Sequence, residues 1–174
     1  MAISIERFGG EDIRAHKSEL VELLRDAVDG GSSVNFVAPL DTGIASAFWD
    51  RVASNVDAGE RIVLVARDGD QIVGTVQLVL ATQPNGLHRA EVQKVLVHSN
   101  QRRKGIGTLL MNAIEDEARK NGRHLLVLDT ERSGSGEKLY ERVGYTRVGV
   151  IPQFALNFDG SALIDTVMFY KLLT

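Results

Sequence analysis

The chain has no cysteine among its 174 residues and only three prolines. Without cysteine, a disulfide framework, a thiolate zinc site, an iron–sulfur cluster and a cysteine nucleophile are all excluded. No stretch rich in proline or serine marks a linker, and no repeat or low-complexity tract is visible. Because 174 residues fit one domain, we expect a single domain over residues 1–174.

The chain also carries little net charge, −3 in total. A general nucleic-acid binder is usually basic, so no nucleic-acid partner is expected. No window approaches the ~20 consecutive apolar residues of a membrane helix, and the first ten residues lack the pattern of a signal peptide. These absences predict a cytoplasmic protein without a membrane partner. The four histidines show no metal-ligand spacing, so no metal site is expected either.

The periodicity of the apolar residues predicts the secondary structure. Helical spacing predicts helices over residues 11–29, 41–59, 107–121 and 136–143. Alternating or continuous apolar runs predict strands at residues 3–5, 61–67, 72–80, 90–97, 125–129, 145–151 and 166–172. This order, βααβββαβαββ, predicts an α/β fold in which helices flank a mixed sheet. The strand–helix–strand stretch from Ala90 to Asp129 must be a parallel crossover.

A basic turn with two glycines, Arg102-Arg103-Lys104-Gly105-Ile106-Gly107-Thr108, lies between a predicted strand and a predicted helix. The first N–H groups of a helix have no internal partner, and the helix dipole adds partial positive charge there. Gly105 and Gly107 let the backbone approach a ligand closely. The turn is therefore a candidate pyrophosphate cradle. The alternative is a solvated basic turn, since the pattern matches neither the P-loop nor the dinucleotide fingerprint.

Two motifs together resemble those of the GNAT superfamily of N-acetyltransferases. Residues 102–107 resemble its acyl-CoA pyrophosphate loop, and Leu139-Tyr140-Glu141-Arg142-Val143-Gly144-Tyr145 resembles its later helix-to-strand motif. The predicted element order matches as well. The resemblance implies a mostly antiparallel sheet with a central parallel βαβ crossover and flanking helices. It also implies an acetyl-CoA-dependent acyltransferase, with acetyl-CoA as cosubstrate and no metal.

Further fragments resemble a narrower group within that superfamily, the tabtoxin-resistance acetyltransferases. They cover residues 84–87, 89–94, 128–131 and 145–149. This likeness implies a role in the detoxification of a toxin or antibiotic.

The resemblance also implies where acetyl-CoA binds. In the superfamily, the strand before the pyrophosphate loop separates from its neighbour, and the pantetheine arm lies in the cleft. Main-chain groups of that strand pair with the amides of the arm, much as an added strand would. The residues that the resemblance assigns to acetyl-CoA are Leu96, Val97, Arg102, Arg103, Lys104, Gly105, Ile106, Gly107 and Thr108.

Glu91 is the candidate general base. An alkyl amine has a pKa of about 10, so a carboxylate must take its proton before it can attack at neutral pH. Glu91 lies in a predicted central strand, where a charge is costly unless it serves a purpose. Its position, thirteen residues before Lys104, is similar to that of the superfamily's glutamate base. The alternative is a surface glutamate, or one paired with Lys94 or Arg89.

Acidic residues also follow the next predicted strand. Asp129 ends that strand, and ligands of α/β sheets collect at the carboxyl ends of strands. Asp129 and Glu131 could hold a cationic acceptor, Asp129 could share the role of base, or either could cap the following turn. The superfamily often has an amide side chain near this point, and the departure suggests a positively charged acceptor. We also expect Asn85, in a polar loop, to contact the acceptor.

Tyr140 matches the superfamily tyrosine that protonates the departing CoA thiolate. A phenol has a pKa near 10 and a thiol a pKa of about 8.5, so tyrosine still holds its proton when the thiolate forms. Tyr140 also fits a buried helix face, so a role as a core residue is the alternative.

These expectations combine in one reaction. The absence of cysteine excludes a route through acetyl-cysteine and leaves direct transfer in a ternary complex. The expected acceptor is a small polar molecule that bears an amine. Two alternatives stay open, an N-acetyltransferase of proteins or peptides and a non-catalytic acyl-CoA sensor. Closure of the site by the loops at 30–41 and 82–89 would favour a small molecule as the acceptor. The sequence is compatible with a monomer or a homodimer.

Overall fold

The computed structural model describes residues 2–174, which form a seven-stranded sheet and five α-helices. The strands are β1 (Ile3–Phe8), β2 (Arg61–Asp68), β3 (Gln71–Leu80), β4 (Arg89–Val97), β5 (Leu125–Glu131), β6 (Thr146–Leu156) and β7 (Leu163–Leu172). The helices are α1 (Gly10–Ala15), α2 (Lys17–Asp29), α3 (Thr42–Asp57), α4 (Ile106–Lys120) and α5 (Ser135–Arg142). Short 3-10 helices at Pro84–Gly86 and Ser99–Gln101 flank β4.

The strands lie in the order β1-β2-β3-β4-β5-β7-β6. Every neighbouring pair is antiparallel except β4 and β5, which are parallel and joined by α4. The predicted parallel crossover is therefore confirmed. The expected fold class, a mixed and mostly antiparallel sheet with flanking helices, is confirmed with it.

Helices cover both faces of the sheet. On one face, α1, α2 and α3 form an apolar cluster with β2 that includes Ile13, Leu24 and Trp49. The Trp49 indole N–H donates to the Leu20 carbonyl at 2.9 Å, so this buried ring keeps a partner for its polar atom. On the other face, α4 packs through Leu110 and its neighbours. Within residues 2–174, no helix combines the length and the apolar composition of a membrane span.

The single helix predicted over residues 11–29 is wrong in one respect, because two helices meet at His16. His16 has φ −103° and ψ 18°, and it ends α1 and begins α2. Its ring centroid lies 5.4 Å from that of Phe8, and its Nδ1 lies 2.9 Å from Glu19 Oε1. The apolar spacing continues across the break. The contact with β1 that accompanies the break is tertiary, so local periodicity does not reveal it.

Strand β6 continues beyond the predicted end at residue 151. Its register with β7 shifts between Ile151 and Ala155, and Gln153 in this interval has φ +52°. β6 is an edge strand, where a bulge and a proline such as Pro152 are tolerated because one side of the strand needs no ladder partner.

Candidate active site

The parallel contact between β4 and β5 is short. Arg89–Glu91 of β4 pair with Leu125–Val127 of β5, and the pairing stops there. A cavity of about 330 Å³ lies beyond this point, lined by residues 91–95 of β4 and 129–131 of β5. Within residues 2–174, the edge of β4 past Glu91 has no strand partner in β5. A ligand with amide groups can therefore occupy the place of the missing strand.

Glu91 lies half-buried where the two strands part. Its Oε1 accepts a hydrogen bond from Gln93 Nε2 at 2.9 Å, and Gln93 Oε1 lies 3.5 Å from Arg61 Nη1. Burial lowers the pKa of Arg61, and the negative charge of Glu91 opposes that shift. In the part of the chain that the structure describes, neither Lys94 nor Arg89 forms an ion pair with Glu91. Its carboxylate lines the cavity.

Asp129 and Glu131 line the same cavity from β5. Positions two apart on a strand share one side, which explains why both carboxylates reach it. Asp129 is exposed, and its Oδ2 accepts a hydrogen bond from Thr166 Oγ1 at 2.8 Å. The structure therefore brings the two predicted acidic residues of β5 together with Glu91.

Tyr140 lies on the wall formed by α5 and is 8% exposed. Its ring centroid lies 6.0 Å from those of Tyr145 and Phe169, so most of the ring belongs to the core. Burial raises the pKa of Tyr140 above its usual value, and the nearby charge of Asp129 raises it further. The phenol therefore keeps its proton at neutral pH. Tyr140 is therefore both a buried core residue and part of the cavity wall.

Lys94 is a residue of this cavity that the sequence analysis missed. β4 contains a bulge in which Lys94 and Val95 lie opposite Val76 alone. Lys94 has φ +51°, a left-handed conformation that is uncommon for a residue with a side chain. It is 8% exposed and lines the cavity. The available signal was Gln93-Lys94, two adjacent polar residues that interrupt the alternation of a predicted strand.

The predicted pyrophosphate turn lies at the N-terminus of α4. Arg102, Arg103 and Lys104 are exposed, and Arg102 Nε donates to the Val97 carbonyl at 3.2 Å. Gly105 precedes α4 with φ +81°, and no side chain within residues 2–174 caps the first N–H groups of the helix. These groups and three cations remain available to an anionic ligand.

The remaining residues of the turn lie inside the first turn of α4. Ile106 is buried, whereas Gly107 and Thr108 are half-buried. A Cβ on Gly107 would lie 3.2 Å from Leu139 Cδ2, so glycine here allows α4 to approach α5 closely. This contact joins the two motifs that the sequence analysis singled out.

Three other predicted residues lie outside the cavity lining. Leu96 is buried against the cluster of α1, α2 and α3, and Val97 pairs with Gly74 of β3. Asn85 is exposed on the first 3-10 helix. The structure thus groups Glu91 with the acidic residues of β5 and separates Asn85 from them. The predicted contacts of these three residues stay predictions.

Residues 30–35 of the loop between α2 and α3 line one side of the cavity. The loop is tied to the β6–β7 connection, because Ala38 N–H donates to the Phe158 carbonyl at 2.6 Å. The loop at 82–89 lies elsewhere and contributes Thr82, Gln83 and Arg89 to a second cavity, which Glu91 also lines. One of the two loops expected at the site therefore lines this cavity, and closure of the site stays a prediction.

The model of the family described as "Acetyltransferase (GNAT) family" matches residues 32–145, which is more than half of the chain. The chain belongs to the GNAT family of acetyltransferases. The matched segment of this GNAT chain contains the turn at 102–108 together with Glu91, Asp129 and Tyr140. The expected family and enzyme class are confirmed.

Individual proteins resemble this GNAT chain over most of its length. A Pseudomonas aeruginosa protein named "L-methionine sulfoximine/L-methionine sulfone acetyltransferase" is 24% identical over 159 residues, 91% of this chain and 88% of that protein. The Escherichia coli "L-amino acid N-acyltransferase MnaT" is 25% identical over 126 residues, 65% of this chain and 72% of that protein. The structure described as "yncA, a putative ACETYLTRANSFERASE from Salmonella typhimurium with its cofactor Acetyl-CoA" has a TM-score of 0.78 and 22% identity, over 100% of this chain and 95% of that one. The structural likeness shows the GNAT fold.

Proposed function

We propose that this GNAT chain transfers an acetyl group from acetyl-CoA to the amine of a small polar acceptor, by direct attack in a ternary complex. The observation that carries the proposal is the cavity between β4 and β5, which Glu91, Asp129 and Tyr140 all line. Two carboxylates that can accept a proton and a phenol that can donate one suit acyl transfer from a thioester to an amine. No cysteine is present to carry the acetyl group in between.

The chain fits acetyl-CoA in two ways. The unpaired edge of β4 past Glu91 suits the amides of the pantetheine arm. The uncapped N-terminus of α4, with Arg102, Arg103 and Lys104 beside it, suits the pyrophosphate. The proposal includes main-chain contacts to acetyl-CoA from Leu96, Val97 and residues 105–108. Bound acetyl-CoA supplies an activated thioester carbonyl.

The proposed base is Glu91, and the acceptor amine must lose a proton as its nitrogen bonds to the acetyl carbon. The hydrogen bond from Gln93 holds the Glu91 carboxylate beside the cavity. Asp129 lies on the opposite strand, where Thr166 holds it. In the proposed arrangement Asp129 and Glu131 attract and orient the cationic amine, and Glu91 takes its proton directly or through a water molecule.

The proposed acid is Tyr140. As the carbon–nitrogen bond forms, the carbon–sulfur bond breaks, and the CoA sulfur leaves with the bonding pair. The raised pKa of Tyr140 means that the phenol still carries its proton at that moment. Tyr140 then donates a hydrogen bond to the sulfur and delivers the proton. The base and the acid belong to opposite walls of the cavity, as a transfer between two substrates requires.

Several features support a small acceptor over a protein or peptide. Residues 30–35 line the cavity, and the same loop is joined to the β6–β7 connection by the hydrogen bond from Ala38 to Phe158. Two relatives are named for acetylation of methionine sulfoximine or sulfone and for acylation of L-amino acids, and these names also favour a small acceptor. Detoxification of a tabtoxin-like compound belongs to the same proposal.

The proposal is tested by incubating the protein with isotopically labelled acetyl-CoA and a panel of small amines, amino acids and short peptides. We expect labelled product from small amines, with release of one CoA for each acetyl group transferred. Turnover only on peptides would replace the small-molecule proposal with the peptide alternative. Tight binding of acetyl-CoA without turnover on any acceptor would favour the non-catalytic sensor.

A further inference from the structure

Lys94 is a buried cation with no counter-ion. It is 8% exposed, and within residues 2–174 no carboxylate lies within 4.0 Å of its Nζ and no hydrogen-bond acceptor holds it. Its Nζ forms no hydrogen bond in the described residues and is not fully enclosed, so an anionic ligand can pair with it. The lysine lines the cavity between β4 and β5, and a ligand there can reach it.

The backbone holds Lys94 in this place. The bulge in β4 gives Lys94 a φ of +51°, which is unfavourable for a residue other than glycine. The bulge also changes the face to which later residues of the strand point. Ala90 and Val92 pack against the cluster of α4, whereas Leu96 packs with α2 and α3. Backbone strain of this kind persists where the surrounding structure enforces it.

Lys94 lies beside two aromatic rings and near three charged side chains. Its Nζ lies 5.9 Å from the ring centroid of Phe36 and 5.7 Å from that of Phe48, so two aromatic rings lie beside the cation. Burial lowers its pKa to about 8, the nearby Arg61 lowers it as well, and the charges of Asp129 and Glu91 oppose these effects. The two carboxylates are thus near enough to affect the pKa of Lys94, but they form no ion pair with it.

We propose that Lys94 binds the carboxylate of the acceptor, so that the preferred acceptor is a free amino acid or a close analogue. A zwitterion matches both kinds of group in the cavity, with its carboxylate at Lys94 and its amine toward Asp129 and Glu91. This inference rests on the proposed function, because it names the acceptor class of that same site. Lys94 acts here as a specificity-determining residue and takes no part in proton transfer.

The test compares three variants with the parent protein. Lys94→Met removes the charge and keeps the length of the side chain, and Lys94→Arg keeps the charge. Lys138→Met is the matched control, since Lys138 is an exposed lysine of α5 outside this cavity. The acceptors are L-methionine, L-glutamine and L-histidine, each paired with its α-carboxamide, which retains the amine but lacks the carboxylate. Circular dichroism establishes that every variant is folded.

We expect the parent and Lys138→Met to prefer each amino acid over its carboxamide. Lys94→Met should raise KM for the amino acids about 10- to 100-fold, the effect of losing a hydrogen bond between charged groups, and leave KM for the carboxamides within about twofold. Lys94→Arg should keep the preference. Equal loss of kcat on both acceptors in Lys94→Met would overturn the proposal, because it would place Lys94 in proton transfer or in structure.

Calorimetry separates this inference from the proposed function. Titration of L-methionine and of its carboxamide into the protein with CoA bound measures acceptor binding without turnover. Binding of the amino acid that Lys94→Met abolishes would support the inference even if no acetyl transfer occurred and the proposed function failed. Turnover with no preference for a carboxylate would sustain the proposed function and overturn the role of Lys94.

Discussion

Thr166 Oγ1 lies 2.8 Å from Asp129 Oδ2 and 2.9 Å from the Thr130 carbonyl oxygen. A hydroxyl has a single proton, so Thr166 donates to one of these acceptors at a time. Thr166 is itself buried in β7. The exposed Asp129 carboxylate is therefore oriented from behind by a buried neighbour.

The first prediction concerns this pair. Thr166→Val keeps the shape of the side chain and removes the donor, so the Asp129 carboxylate loses its orientation. We expect KM for the acceptor to rise about two- to tenfold, the usual effect of one hydrogen bond. KM for acetyl-CoA should not change. Steady-state kinetics with each substrate varied would measure both constants, and an unchanged KM for the acceptor would contradict a binding role for Asp129.

The second prediction separates the two candidate bases. Glu91→Gln should lower kcat about 100-fold or more, because general base catalysis contributes about 10²- to 10⁴-fold. Acetyl-CoA binding, measured by calorimetry, should stay as it is in the parent. Asp129→Asn serves as the comparison and should act mainly on KM for the acceptor. The assignment fails if Asp129→Asn, and not Glu91→Gln, removes the larger part of kcat.

The third prediction uses two neighbouring tyrosines. Tyr140→Phe should lower kcat about 100-fold, because it removes the proposed proton donor. Tyr145→Phe is the matched control, since the Tyr145 hydroxyl is buried without a hydrogen-bond partner in the described residues. Removing an unpaired buried hydroxyl should leave kcat unchanged and raise the free energy of unfolding by about 1 kcal/mol. Equal kinetic effects in both variants would point to packing rather than to catalysis.

The fourth prediction concerns the glycine that lets α5 approach β5. A Cβ on Gly136 would collide with Thr130 Oγ1 and lie 3.2 Å from Tyr140 Cε2. Gly136→Ala should therefore displace Tyr140 and lower kcat about 10- to 100-fold. Gly149→Ala, whose Cβ would have no neighbour within 4 Å in the described chain, should have no such effect. A crystal structure of Gly136→Ala with Tyr140 unmoved would contradict this explanation.

The fifth prediction follows from the lowered pKa of Lys94. Its pKa is about 8 in the folded protein, where Arg61, Asp129 and Glu91 face it, and about 10.5 when unfolded. Between these values the unfolded chain binds more protons, so the stability of the parent rises with pH. Lys94→Met should therefore be stabilised relative to the parent below pH 8, by about 3 kcal/mol at most, and this advantage should vanish near pH 10.5. Urea denaturation at pH 7 and pH 10 would measure it.

The same lysine predicts how acceptor binding depends on pH. A neutral amine cannot hold a carboxylate by charge, so KM for an amino acid should rise as the pH passes about 8. In Lys94→Arg the cation persists to much higher pH, and the rise should be absent. A rise of equal size in both proteins would show that another group is responsible.

The sequence was sufficient to predict the order of elements and the parallel crossover, because apolar periodicity depends on local spacing. It was also sufficient to make Glu91 and Asp129 candidates, since a charge in a central strand and a strand end are visible without coordinates. Tyr140 became a candidate through the resemblance of its motif to the superfamily. The break at His16 was not predictable in this way, because it is associated with contacts to β1 that lie outside the local pattern.

Lys94 shows the same limit in the site. Its sequence position predicts an ordinary strand residue, and only the bulge opposite Val76 places it in the cavity. A bulge depends on how β3 and β4 pair, so the alternation of one strand cannot reveal which residue is extra. Asn85 illustrates the reverse case, because its loop is polar and close in sequence to β4 but Asn85 does not line the cavity.

The short contact between β4 and β5 divides the sheet into a four-stranded and a three-stranded half. α4 packs mainly on β1–β4 and reaches β7 through the ion pair of Glu115 with Lys171, whereas α5 packs on β5. Glu91 and Lys94 therefore belong to one half, and Asp129 and Tyr140 belong to the other. Three residue pairs form the strand pairing between the halves, and the His88 carbonyl accepts two more main-chain hydrogen bonds, from His124 and Leu125. The distance between the proton acceptor and the proton donor thus depends on this main-chain seam and on the core beneath it. The hydrogen-exchange rates of the Arg89–Glu91 amides would measure how rigidly the seam holds the two halves together.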